Sequence, residues 1–205
     1  MHAAKDDDLR LRPGRLAGEP QRIADEIGHI LNLSGFVELP WRLQVAFNVS
    51  AHSSPPFTAW LNEVDLDGDG TRNDLLPGTR VNQFDRGRDR GDLASLVDTY
   101  NREIAERRLC CDQVARRVML PAAYSFFDNF FTQDLRITRT FPVGRGSSRI
   151  SVFGEVFNLL NTANLVQYSG NVLEPTTFGQ PGARFTQIFG SGGPRAFQLG
   201  ARASF

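Results

Sequence analysis

The run Ala196-Phe197-Gln198-Leu199-Gly200-Ala201-Arg202-Ala203-Ser204-Phe205 puts Phe197, Leu199, Ala201, Ala203 and Phe205 on one side of an extended chain and Gln198, Gly200, Arg202 and Ser204 on the other. Successive side chains of a strand point to opposite faces, so this period of two predicts a strand with one wholly apolar face. Such a face suits either a half-buried strand of a soluble sheet or a strand with lipid outside and water inside. The aromatic residue at position 205 favours the second, because chain ends in soluble domains fray and an apolar residue left there needs cover.

The same alternation recurs upstream over a longer span. Leu31, Leu33, Gly35, Val37, Leu39, Trp41, Leu43, Val45, Phe47, Val49 and Ala51 share one parity, while Asn32, Ser34, Glu38, Arg42, Gln44, Asn48 and Ser50 occupy the other, with Phe36 as the exception. An unbroken strand of that length overshoots any ordinary sheet, and Pro40, which has no N–H for a ladder, marks the fold-back point. We read a hairpin of strands 28–39 and 42–53 turning at Pro40-Trp41, each arm close to the ~9 to 11 residues of a tilted membrane-crossing strand. Trp41 then belongs at an interface, where an amphipathic ring is favoured.

Two further strands are expected at 127–141 and 149–160, joined by the turn-forming run from Pro142 to Ser148. In the first, Phe131, Leu135, Ile137 and Phe141 oppose Thr132, Asp134, Arg136, Thr138 and Thr140. In the second, Ile150, Val152, Gly154 and Val156 face one way, and the other face mixes Ser151, Phe153, Glu155 and Phe157. With 195–205 this makes about five strands whose connections alternate between short turns and the long loops 54–126 and 161–194. Long connections on one side only are uncommon in a soluble meander and are a property of outer-membrane barrels. Within the first loop, Leu93, Leu96, Val97, Tyr100 and Ile104 have helical spacing, predicting a short amphipathic helix from Asp92, as N-cap, to about Arg108. Residues 1–27 are expected to be a partly disordered loop remnant. Phe126, Phe127, Phe130 and Phe131 are expected to form an aromatic girdle.

Composition narrows the function. Lys plus Arg equals Asp plus Glu at 23 each, so the basic excess of a nucleic-acid binder is missing. No run approaches the ~18 apolar residues of a membrane-spanning helix, and Met1 to Arg12 has no apolar core of a signal peptide. Cys110 and Cys111 are adjacent and too few for a zinc site. His2, His29 and His52 are scattered, and no hydrolase, zinc-protease or phosphate-loop motif occurs, so no enzyme is expected. Asp134, Arg136 and Glu155 are expected to form an ion-pair ladder on neighbouring strands.

Asp65, Asp67, Asp69, the Thr71 carbonyl and Asn73, with Gly70 at the sharp turn, have the oxygen spacing of a calcium loop. The twelfth position is Leu76, where an EF-hand carries glutamate, and a solvated Asp- and Gly-rich turn accounts for the same residues. Calcium is thus the one candidate cofactor.

The stretches Leu33 to Trp41, Ser54 to Thr58, Asp65 to Gly78, Gln133 to Arg136, Gly154 to Asn164 and Gly193 to Arg202 together resemble the last strands of TonB-dependent outer-membrane receptors, in particular those carrying a carboxypeptidase-regulatory-like domain. The resemblance covers about His29 to Phe205. It implies an all-β fold, an antiparallel transmembrane β-barrel fragment in the Gram-negative outer membrane with its long loops outside. The implied role is energised solute uptake by the whole receptor and not by this segment alone, because five strands cannot close a barrel. Implied partners are outer-membrane lipid, the remaining strands and plug, TonB through that plug, and the barrel-assembly machinery through the strand ending at Phe205. A cell-surface calcium-binding adhesion or structural β module is the alternative. The two differ in where the apolar strand faces lie, since a sandwich buries them and a barrel segment leaves them as an exposed band.

Overall fold

The computed structural model describes residues 27–109, 113–144, 146–186 and 192–205. The loop remnant expected over 1–27, apart from Ile27, and the Cys110-Cys111 pair fall outside them. In chain order the elements are β1 (Ile30–Leu39), β2 (Leu43–His52), β3 (Trp60–Asn62), β4 (Asn73–Leu75), α1 (Arg90–Glu103), β5 (Phe130–Pro142), β6 (Arg149–Phe157), β7 (Leu165–Tyr168), β8 (Pro181–Arg184) and β9 (Ala196–Ser204). The described chain is thus mostly antiparallel β-sheet with one short helix.

Five strands form the main sheet in the order β1-β2-β5-β6-β9, each antiparallel to its neighbour. The β1–β2 and β5–β6 turns therefore share one end of the sheet, and the two long connections share the other. The first turn is a single 3-10 turn, Pro40–Arg42, in which both Trp41 and Arg42 are left-handed, with φ of 61° and 57°. Neither is glycine, so the turn carries a conformational cost of roughly 1–2 kcal/mol per residue.

The long connections are folded, which the strand count of about five did not anticipate. β3 and β4 pair as a small hairpin, as do β7 and β8, and Asn171 bridges to Trp60 so that the two loops join. The core lies here. Phe57, Leu61, Leu76, Phe84, Leu93, Val97, Tyr100, Val118, Phe126, Val172 and Phe178 are all buried in one cluster, and no residue of the five main strands belongs to it. The loops form a cap with its own hydrophobic interior, at the end of the sheet opposite the turns.

Two expectations are corrected. The helix starts at Asp89, whose carboxylate accepts from the Gly91 and Asp92 amides while Asp92 returns a bond to the Asp89 amide, a reciprocal capping box, and it ends at Glu103 and not near Arg108. Asp92 is the third helical residue and not the cap. Phe126 and Phe127 also do not form a girdle. Their rings pack against Phe57, and Phe126 additionally against Phe84 and Tyr124, because the chain entering β5 passes through the cap before it reaches the sheet.

Candidate functional site

Register decides which side chains share a face of the main sheet, because paired residues in antiparallel strands point the same way. Starting from Leu31↔Ala51, Leu33↔Val49, Gly35↔Phe47, Val37↔Val45 and Leu39↔Leu43, the pairing carries one face across all five strands. It continues through Phe47↔Leu135 and Val45↔Ile137, then Leu135↔Val156 and Phe141↔Ile150, and finally Val156↔Phe197, Gly154↔Leu199 and Val152↔Ala201. That face is apolar throughout, interrupted only by Gln133 and Arg139. β6, whose outward side was ambiguous from its own sequence, is settled by its neighbours: Ile150, Val152, Gly154 and Val156 lie on the apolar face.

Most of it is left uncovered by the described residues, although toward the cap the Gln133 amide is shut off from solvent. Leu199 is 86% exposed and Phe205 97%, and Leu31, Leu33, Val37, Ile137, Val152 and Phe197 are exposed too. At about 25 cal/mol per Å² of apolar area, a contiguous surface of this size is costly to leave against water. Glycines keep the band smooth. A Cβ on Gly35 would meet the Phe47 ring at 3.1 Å and one on Gly154 would meet Leu199 at 3.4 Å, so both large side chains lie flat over their glycine neighbours.

The opposite face is mixed: polar residues predominate, with Ile30, Phe36, Phe130, Phe153 and Phe157 among them. Arg136 lies 3.8 Å from Glu155 and its guanidinium sits 3.8 Å above the Phe153 ring. Asp134 instead accepts from the Asn158 amide at 2.9 Å, so of the expected ladder the Arg136–Glu155 rung is formed. Asn158 is fully buried and left-handed, and its side chain holds the chain where β6 ends: Oδ1 accepts from the Thr162 amide, and Nδ2 donates to the Thr162 and Gly193 carbonyls. Asn164 does the same one turn later, accepting from the Phe131 amide and donating to Gly192. These asparagines are the physical content of the Gly154 to Asn164 stretch: they turn the chain and tie the second loop back onto the sheet.

The acidic loop joins β3 to β4. Asp65 is buried, and its two oxygens accept from the Gly68 amide at 2.7 Å and the Gly70 amide at 3.1 Å. Asp67 accepts from Asp69 at 3.1 Å, and Asp69 from the amide and hydroxyl of Thr71 at 2.7 and 2.6 Å. The carboxylates that come together are Asp65, Asp67 and Asp74, with one oxygen of each within 4.8 Å of the others. Asp69 is turned to Thr71, and Asn73 pairs with Asn62 in the hairpin ladder. Asp74 escaped the linear spacing because only the β3–β4 fold-back brings it beside Asp65, where it accepts from the Leu66 amide. Burial, with the Asp67 and Asp65 charges adding to it, holds the Asp74 carboxyl above the ordinary carboxylate range; the Thr71 hydrogen bonds hold Asp69 below it. Three clustered carboxylates have the chemistry of a hard-cation site. Their bonds to backbone amides equally account for a closed loop.

Cap and sheet are joined by polar contacts. The Ser54 amide donates to Asn129, its hydroxyl to Asp85, and Arg86 donates to the Ser54 carbonyl. Tyr168 donates to Asp128 at 2.6 Å, and burial together with that bond raises the phenol well above its ordinary range. No protein-family model, no curated protein and no solved structure matches the chain.

Proposed function

We propose that this chain supplies five strands of a transmembrane β-barrel with a folded external cap, and that the whole protein is a TonB-dependent receptor of the Gram-negative outer membrane that takes up a solute. The observation that carries the reading is the apolar face of the main sheet, continuous in register over five strands, largely uncovered, and backed by a face where polar residues predominate. Strands of about ten residues span roughly 34 Å at ~3.4 Å per residue, or about 24 Å at a 45° tilt, which matches an apolar band of about 25 Å.

The sheet edges add to the case. β1 and β9 run in the same direction, because five antiparallel strands separate them by an even number of steps. An antiparallel barrel therefore needs an odd number of further strands between those edges, and unpaired backbone in lipid is too costly to leave open. Uptake by this segment alone is not part of the proposal. The family and the uptake role rest on the sequence resemblance, and the membrane setting rests on the apolar face.

The alternative of a surface β module requires a second layer over that face, and the cap, which has a core of its own, does not provide it. The test is directional. As part of a complete receptor expressed in a Gram-negative host, the chain should fractionate with detergent-extracted outer membrane. Val45→Arg should abolish this, since arginine on a lipid face costs about 2–4 kcal/mol near the midplane. Gln44→Arg, one residue away on the polar face, should leave it intact. Equal tolerance of both would overturn the facing and with it the proposal.

A further inference from the structure

Arg139 is the one charged side chain on the apolar face of the main sheet, and its position on that face is specific. It stands opposite Leu43 on β2, in the last pair of that register, and opposite Val152 on β6, three pairs inward from the β5–β6 turn. Its guanidinium lies 5.0 Å from the centroid of the Phe141 ring, two residues further toward the turns. The side chain therefore leans out of the band toward its rim, as a long cation does when its stem lies along apolar surface and its head seeks a polar layer. At that rim stand Trp41, 80% exposed, and Arg42, also exposed, both in left-handed backbone. Among the described residues neither Arg139 nor Arg42 has a carboxylate partner, in contrast to Arg136 in the middle of the sheet, which meets Glu155. Glu38, the acid at this end, pairs in register with Gln44 on the polar face. Arg149 and Arg202 share that polar face and are separate from the arrangement.

We infer that Arg139, with Trp41 on the same rim, forms a binding site for the phosphate of an anionic phospholipid headgroup in the leaflet that the turns face. This rests on the membrane reading above. A planar guanidinium matches phosphate with two parallel hydrogen bonds, and an indole ring favours the same interfacial layer. Lipid phosphate would give Arg139 an anion that no carboxylate among the described residues supplies.

The test uses a complete barrel that contains this chain, carries Trp60→Phe and has Trp41 as its single tryptophan, in phosphatidylcholine vesicles doped with an equal fraction of brominated phosphatidylglycerol or brominated phosphatidylcholine. Trp41 should be quenched by both and more strongly by the anionic lipid. Arg139→Gln should lower that preference by about fivefold, the effect of one basic residue at an anionic surface. Arg139→Lys should restore most of it, which separates loss of the charge from loss of the fold. A preference unchanged in Arg139→Gln, or one abolished by excess inorganic phosphate, overturns the lipid site while leaving the membrane reading in place. Absence of quenching by either lipid overturns both.

Discussion

Adding one methyl group at Gly170 should unfold the cap and leave the main sheet standing. Gly170 is buried where the second loop lies beside β3, and a Cβ there would fall on the Thr58 carbonyl oxygen, with the Trp60 ring 3.5 Å away. The obstruction is backbone and cannot rotate aside. Relief requires separating the strand contacts that join the loops, the bonds from the Trp60 amide to Gly170 and from the Val172 amide to Trp60, both 3.0 Å. Overpacking a filled interior costs about 1–3 kcal/mol, and two weakened backbone bonds add about 0.5–1.5 kcal/mol each. Gly170→Ala should therefore lose about 2–6 kcal/mol from the cap. Trp60 reports the event directly, so the assay is urea unfolding followed by its emission in a Trp41→Phe background, in detergent. With a slope of about 1–3 kcal/mol per molar urea, the midpoint should fall by about 0.7 molar or more. Gly146→Ala is the control, since a Cβ there meets nothing within 4 Å. A Gly170→Ala midpoint within a few tenths of a molar of the parent would refute the claim that the two loops are packed together along β3.

Further outcomes follow from the polar sites. Because Asp74 is held above the ordinary carboxylate range, the folded cap binds a proton more tightly than the unfolded chain there; its stability should fall as pH rises from the unfolded carboxylate pKa through the raised value. Asp74→Asn, which can still accept from Leu66, should flatten that slope in a pH series of urea midpoints, and an unchanged slope would place its source elsewhere. Asn158→Ala should cost about 2–4 kcal/mol by orphaning the Thr162 and Gly193 groups that its side chain satisfies. Hydrogen exchange should then quicken at Thr162 and leave β1 and β2 unchanged, whereas protection retained at Thr162 would contradict the tie.

How far the sequence could be read depended on the range of the forces involved. Strand faces were legible because parity is local: Val45 and Gln44 differ in polarity, and a period of two leaves one register that keeps every apolar residue together. The cap was not legible, because Phe57, Phe84, Phe126 and Phe178 are far apart in the chain and nothing local says that they meet. Phe126 and Phe131 look alike in sequence, yet one is buried in the cap and the other is exposed on the sheet. The helix start was available in the sequence, since Asp89 and Asp92 have capping-box spacing, but Arg90 and Gly91 hid it by delaying the apolar stripe to Leu93. The acidic loop was half legible. Asp65 and Asp67 were found by spacing, while Asp74 joins them only through a hairpin that linear spacing does not encode.

The central claim, that one face of the five-stranded sheet meets lipid and the other water, is tested most directly by spin labels on single cysteines, with Cys110 and Cys111 replaced by serine. The labelled positions are Val45, Ile137, Val152 and Leu199 on the apolar face and Gln44, Thr138, Ser151 and Gln198 on the polar face. With the segment in a complete barrel reconstituted into phospholipid vesicles, accessibility to oxygen should exceed accessibility to a water-soluble nickel complex at the first four sites, with the order reversed at the second four. Labels at Val45 and Leu199 shielded from both reagents, or no alternation between neighbouring residues, would contradict the account.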